Sequence, residues 1–413
     1  MSITIILILI SLNCCTAQIA TCIDDGNNNP PNVVSSSIMK SEGNPAWAPS
    51  AQNVDHNRDH SIVRTMAHFI ANNRNIKVLA YSDDPPNLPP RNEKSKAKGV
   101  LLVDDRADDA AAWFVHTVPN FLAYLGGYSW PPTETAKGHM FLCLSLSEAN
   151  LNSVAKAIRY QEPYIYVNNL TPALLNQHIE LSNLATGVEI RLTPFLEHAK
   201  FTTKGVRAAA NIQAFGKHTK SFADIYSRIL RSKLSASIII WAPSDAKSKS
   251  ICKGQHKLRK IASPMQFAGN QVSREVDSTN WALVDGKNTV CLTTNDYKIA
   301  ERQIPGAAVC LENAGVYNAF RTAANITEEK LLKMIFTAII LILISLNYCT
   351  AQVATCKDDA DNNKENYQNI HCSKFIEMRL AEAIAILVLF KSCTAQVATC
   401  KDDNNVLRLQ TSK

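Results

Sequence analysis

Two short apolar runs, Gly99–Asp104 and Ala112–Val118, lie on either side of a polar turn, and the second stops against Pro119. Runs this short, rich in Val, Leu, Phe and Trp, have the length of buried strands rather than of core helices. Proline lacks the donor a central ladder needs, so the second strand has to end there. Comparable runs at Lys77–Tyr81, Met140–Leu146, Tyr164–Asn168, Ala236–Trp241, Trp281–Val284 and Thr289–Thr293 predict further strands. Leu151, Val154, Ala155 and Ile158 fall at helical spacing behind a Ser147 cap, and Phe222, Ile225, Ile229 and Leu230 suggest a second helix. Strands interspersed with helices predict an α/β fold, with mixed sheets flanked by helices. Asn183–Thr202 reads as a crossing between two halves, and Pro85–Pro90 with Lys94, Lys96 and Lys98 reads as a loop.

The second strand carries one histidine, His116. An isolated imidazole in an apolar strand is more often a satisfied core residue than a catalytic one. Its neighbours shift the balance. The run Val115-His116-Thr117-Val118-Pro119-Asn120-Phe121 is joined by Val78–Pro86, Gly138–Leu146, Gln161–Asn168, Ile212–Tyr226 and Ser235–Trp241, in that order along the chain. In these segments the chain resembles the deoxyribonuclease II family, and the likeness fades near Phe320.

The resemblance implies two pseudo-symmetric lobes of the phospholipase D type, each bringing one histidine to a shared site. It further implies acid, metal-independent endonucleolytic cleavage of DNA, with His116 as a catalytic residue. One imidazole would attack phosphorus while the other protonates the leaving oxygen and later activates water. Lysines beside them would neutralise the phosphoryl oxygens, and Lys98, Lys217 and Lys220 are the candidates.

The family's second motif, Asp-His-x-Lys-Trp, aligns with Asp277-Ser278-Thr279-Asn280-Trp281. Ser278 therefore stands where the histidine belongs, and Asn280 where the lysine belongs. A hydroxyl cannot do an imidazole's work at acidic or neutral pH, and an amide brings no charge to a phosphate. Because the two histidines act as a unit, this half-site is expected to be dead and the rate to fall by orders of magnitude. Two readings of function follow: a weak or inactive nuclease, or a secreted pseudoenzyme that holds DNA or acts as a host-facing decoy. His198-Ala-Lys200 and His218-Thr-Lys220 offer His-x-Lys triplets elsewhere, but neither lies where the family places its second motif.

The formal net charge is +7, and basic residues cluster from Lys200 to Lys233 and again from Lys247 to Lys260. Such a run either attracts phosphate backbones through counterion release or forms a solubilising surface over both lobes. Paired Cys-x-x-Cys ligands, a His-Glu-x-x-His helix and a phosphate-cradling glycine loop are all lacking in the sequence, so neither a metal nor a nucleotide cofactor is expected.

Ile3–Leu12 is an apolar run too short to span a bilayer, followed by Cys15-Thr16-Ala17, which predicts a signal peptide over 1–17 cut before Gln18. Residues 18–181 and 182–330 are then expected as N- and C-terminal lobes of a secreted chain, with the lysosome as the family's alternative. The resemblance implies disulfides Cys22–Cys143 and Cys291–Cys310, and leaves Cys252 either free or paired with a tail cysteine. Asn169-Leu-Thr and Asn325-Ile-Thr are glycosylation sequons. Where the family has an apolar first strand after Cys22, this chain has Asn27–Ser35, rich in Asn, Pro and Ser, which reads as loop.

Residues 331–413 restate the N-terminus twice. An apolar run at Ile339–Leu346 precedes Cys349-Thr-Ala-Gln-Val-Ala-Thr-Cys356, and another at Ala385–Phe390 precedes Cys393-Thr-Ala-Gln-Val-Ala-Thr-Cys400. Solenoid repeats bury a face against a neighbour, whereas these copies hold a leader and a mature start. The tail is expected to be a concatenation of leader segments, poorly structured and without a stable membrane span.

Overall fold

The computed structural model describes residues 20–23, 52–106, 109–204, 209–267 and 270–324. The signal-peptide, Asn325, Asn27–Ser35 and tail expectations lie outside these residues.

Two sheets form an α/β structure. The first contains β1 (Ile76–Tyr81), β2 (Lys98–Asp104), β3 (Ala111–His116), β4 (Phe141–Leu146) and β5 (Ile165–Asn168), antiparallel in the order β4-β3-β2-β1-β5. The C-terminal half supplies β6 (Leu196–Thr202), β7 (Asn211–Lys217), β8 (Ile238–Trp241) and β9 (Leu258–Lys260), then a separate hairpin of β10 (Met265–Phe267) and β11 (Asn270–Val272). With β12 (Asn280–Val284), β13 (Thr289–Thr293) and β14 (Gly306–Glu312) it builds a seven-stranded sheet, β6-β7-β14-β13-β12-β8-β9. Only the β8–β9 pair in it is parallel.

Strand order makes the two halves alike. In each, four antiparallel strands follow one another across the sheet, β1-β2-β3-β4 in the first and β8-β12-β13-β14 in the second. On the outer side of β14 lies β7, whereas β4 has no strand on that side among the described residues. This asymmetry falls where Cys22 is tied to β4, by its disulfide to Cys143 and by a hydrogen bond from its N–H to Ser145 Oγ at 3.0 Å. Cys291 and Cys310 face each other across β13 and β14 and form the second disulfide. Cys252 is also disulfide-bonded and so is not free.

One core joins the halves. Leu79 and Trp113 from the first sheet pack with Val154 and Ile158 of the helix Leu151–Tyr160 and with Phe201 and Ile212 from the second sheet. Gly216 on β7 passes so close to that helix that an added Cβ would stand 2.2 Å from the Ala157 carbonyl oxygen. Two other cores cover the outer faces of the two sheets, and a third continues the shared core along the inner face of the second sheet.

Several elements differ from expectation. The presumed crossing Asn183–Thr202 contains the end of a helix, Ile179–Ala185, and the whole of β6. The strands β6, β7 and β14 have no strong apolar run, since they carry Glu197, His198, Lys200, Gln213 and alanines, and pairing on both sides of β7 and β14 holds them. Ser147 does not cap the helix: a 3-10 turn, Glu148–Asn150, intervenes, and the Ser147 hydroxyl accepts from Asn150 Nδ2. Phe222 is excluded from its expected helix by a left-handed backbone (φ 47°) and is exposed. Ile225–Leu230 instead winds in wide π-type turns, capped by the Asp224 carboxylate.

Candidate active site

A cavity of about 220 Å³ opens between the two sheets, lined by Lys96, Lys98, His116 and Thr117 from the first half and by Ser278, Asn280, Thr293 and Thr294 from the second. The likeness of the halves explains this set. Lys98 opens β2 and pairs in register with His116 on β3, and Asn280 opens β12 and pairs in register with Thr293 on β13. Since β2 corresponds to β12 and β3 to β13, Lys98 matches Asn280, Lys96 matches Ser278, His116 matches Thr293 and Thr117 matches Thr294. The counterpart of Ser278 is thus Lys96, in a segment whose sequence reads as a loop, and not His116. Only the strand pairing reveals that correspondence.

Ser278 is placed by a contact between the halves. Gly138 N–H donates to the Val276 carbonyl at 3.1 Å, and Ser278 N–H donates back to the Gly138 carbonyl at 2.9 Å. Gly138 has no room for a side chain, because a Cβ would come within 2.5 Å of Asp277 Oδ1. Asp277 is fixed in turn by Trp241 Nε1–H (2.6 Å) and Thr279 N–H (2.9 Å). Burial raises the Asp277 pKa, and these donors oppose the shift.

His116 is almost fully buried, at 4% exposure. Burial pushes its pKa well below the ordinary value, and the charges of Lys98 and His139 push it the same way. Its Nδ1 has no well-formed hydrogen bond, and a weaker interaction with the Val118 backbone favours the protonated ring without reversing the shift. The amide oxygen of Gln161, another lining residue, is also buried without a partner among the described residues. Unpaired buried polar atoms are costly, and here both belong to residues that line the cavity.

The cavity cations are already engaged. Lys98 Nζ lies 2.5 Å from Asp83 Oδ1, and Lys96 Nζ lies 2.8 Å from Glu301 Oε1 and 3.9 Å from Asp296 Oδ2. Burial works against the Lys96 ammonium, but Glu301, Asp296 and Asp83 outweigh it and its pKa is raised. Asn280 Nδ2 donates to Asp296 Oδ1 at 3.2 Å.

The other candidates lie elsewhere. Lys217 is fully buried with its ammonium on the Glu301 and Ile304 carbonyls, and burial lowers its pKa to about 8. Lys220 stands over the Phe195 ring at 5.8 Å, and neither lysine lines the cavity. His198 stacks on Phe215 and lies 2.9 Å from Gln213 Oε1, while His218 Nδ1 accepts the Lys220 N–H. Part of the basic run is spent internally: Arg259 pairs with Asp285, and Lys260 donates to Ser244 and Ser248. Asn169 is exposed, but its amide nitrogen donates to the Tyr124 hydroxyl at 2.8 Å. Among the described residues, no group of three or more His, Cys, Asp or Glu side chains is arranged to hold a metal ion. No helix among them is long and apolar enough to cross a membrane.

A two-lobed α/β fold with a cavity at the join, its apolar wall interrupted by a few charged and polar side chains, defines the class. The family model for Deoxyribonuclease II matches residues 26–330, and the chain belongs to that family. It is similar to Deoxyribonuclease-2-alpha of Sus scrofa (25% identical over 268 residues, 62% of this chain and 72% of the relative). It is also similar to Plancitoxin-1 of Acanthaster planci (23% over 275 residues, 63% and 74%) and to Deoxyribonuclease-2-alpha of Bos taurus (26% over 251 residues, 58% and 67%).

Proposed function

We propose that this chain is a secreted deoxyribonuclease II-like protein that receives DNA at the cavity between its halves but has lost most or all of the family's phosphodiester cleavage. The observation that carries this reading is the composition of the matched strand starts, which hold Lys96 and Lys98 on one side and Ser278 and Asn280 on the other. A mechanism that needs two imidazoles, one from each half, finds none at these positions. His116 is the one histidine lining the cavity among the described residues, and its counterpart is Thr293. Without a second imidazole, displacement at phosphorus lacks either the nucleophile or the proton donor.

DNA binding is supported by family membership and by the net positive charge. The pairing of Lys96 and Lys98 with carboxylates weakens the pull on a phosphate, so the expected binding is modest and falls steeply with salt. Fluorescence anisotropy with a labelled duplex across a salt series tests this, and affinity independent of salt would refute it. For cleavage, plasmid nicking at acidic pH in EDTA is measured for the Ser278→His, Asn280→Lys variant, with and without Lys96→His. Return of nicking only when Lys96→His is included supports the strand correspondence. Return without it, abolished by His116→Ala, assigns the first half-site to His116.

A further inference from the structure

Thr117, His139 and Glu134 form a chain of contacts behind the cavity wall that neither half-site uses. Thr117 lines the cavity one residue past β3. Its hydroxyl oxygen accepts the Met140 N–H at 3.0 Å and lies 3.2 Å from His139 Nδ1, so the hydroxyl proton is directed at that nitrogen. Across the ring, His139 Nε2 lies 3.1 Å from Glu134 Oε2, close but off the ideal N–H···O line. The other oxygen of Glu134 is held by Lys137 Nζ at 2.8 Å and Thr133 Oγ1 at 3.2 Å. His139 and Glu134 are 2% and 3% exposed, and the Trp130 ring stands edge-on to the imidazole. Burial is the largest influence on His139 and brings its pKa down to about 4, so the ring is neutral at neutral pH; with the Thr117 hydroxyl donating to Nδ1, the ring proton is assigned to Nε2, on the Glu134 side.

Hydroxyl, imidazole and carboxylate thus follow in the order that activates a nucleophile, with Thr117 among the residues that line the cavity and His139 and Glu134 behind it. We propose that Thr117 is a nucleophile toward small phosphoryl esters that fit the cavity of about 220 Å³, the DNA backbone not among them, with His139 Nδ1 as its base and Glu134 holding the ring. The same cavity offers Lys98, Ser278 and Asn280 as donors to phosphoryl oxygens, which selects a phosphorus centre over an uncharged acyl group. In the first step the Thr117 Oγ–P bond forms and the bond from phosphorus to the leaving alkoxide breaks. The hydroxyl proton passes to His139 Nδ1 and from there to the alkoxide. In the second step water adds to phosphorus, gives its proton to Nδ1, and the Oγ–P bond breaks as that proton returns to Thr117. This activity does not rest on DNA entering the cleft, and it needs neither half-site histidine.

The test is covalent labelling of the full chain by diisopropyl fluorophosphate, with the adduct located by peptide mass spectrometry. Labelling forms the Oγ–P bond and breaks the P–F bond; fluoride leaves as the anion, and the hydroxyl proton passes to His139 and from there to solvent. A single adduct on Thr117 is expected, retained in Thr117→Ser and slowed by about 100-fold or more in His139→Gln. Glu134→Gln replaces His139→Gln if circular dichroism shows the latter to be unfolded. An unlabelled Thr117 in the folded protein, or equal labelling rates in the wild type and the folded His139→Gln or Glu134→Gln variant, overturns the proposal. DNA binding is read separately by anisotropy and cleavage by plasmid nicking, so failure here leaves both of those readings untouched.

Discussion

His116 and His139 are both buried imidazoles near the cavity, yet each depends on a different set of neighbours. His139 has its pKa lowered from 6.5 to about 4, with burial as the first cause, so the folded protein resists a proton that the unfolded chain accepts. Its stability is therefore complete above pH 6.5, declines as pH falls from there toward 4, and levels off below. The window corresponds to a loss on the order of 3 kcal/mol. Urea unfolding across this range is expected to show a steeper decline in the wild type than in His139→Gln, and parallel curves would contradict the assignment. For His116, the Lys98 ammonium is one of the forces holding the imidazole neutral. Lys98→Met is expected to move the His116 pKa back toward its ordinary value in an NMR titration, and an unchanged pKa would contradict that electrostatic link. His116 was legible in the sequence because a histidine in an apolar strand stands out. Lys96 and His139 were not, since one looked like part of a charged loop and the other is made significant only by Thr117 and Glu134 across the fold.

At the level of elements, close approaches hold the halves in register. Gly216→Ala would drive a methyl group into the Ala157 carbonyl and force the helix Leu151–Tyr160 off β7. Overpacking of this kind costs about 1–3 kcal/mol, read as a lower midpoint in chemical denaturation, and an unaltered midpoint would show that the contact is relieved elsewhere. Gly138→Ala is expected to displace Asp277 and with it Ser278, weakening DNA binding more than stability. Binding unaffected by Gly138→Ala would mean that the bridge between the halves does not set the cavity. Strands with continuous apolar runs, such as β1, β2 and β8, were legible because burial on both faces dictates their composition. β6 and β7 escaped because His198, Lys200 and Gln213 interrupt them, and their strand character comes from partners distant in sequence.

For the whole molecule, the two-lobed α/β architecture followed from strand alternation and the family resemblance, but the extent to which the halves share a core did not. Phe201 and Ile212 pack with Leu79 and Trp113, so neither sheet can release its inner face alone. Phe201→Ala is expected to cost about 3–5 kcal/mol and to lower one common transition seen by both far-ultraviolet circular dichroism and tryptophan fluorescence. Two separated transitions would show independent lobes. The cavity at this shared join unites the functional argument, because its lining comes in matched pairs and the pair that needs imidazoles has a lysine and a serine. Supercoiled plasmid incubated with the full chain at acidic pH in EDTA tests that claim most directly. The plasmid is expected to remain intact, and nicking by the wild type that disappears in His116→Ala would contradict the account.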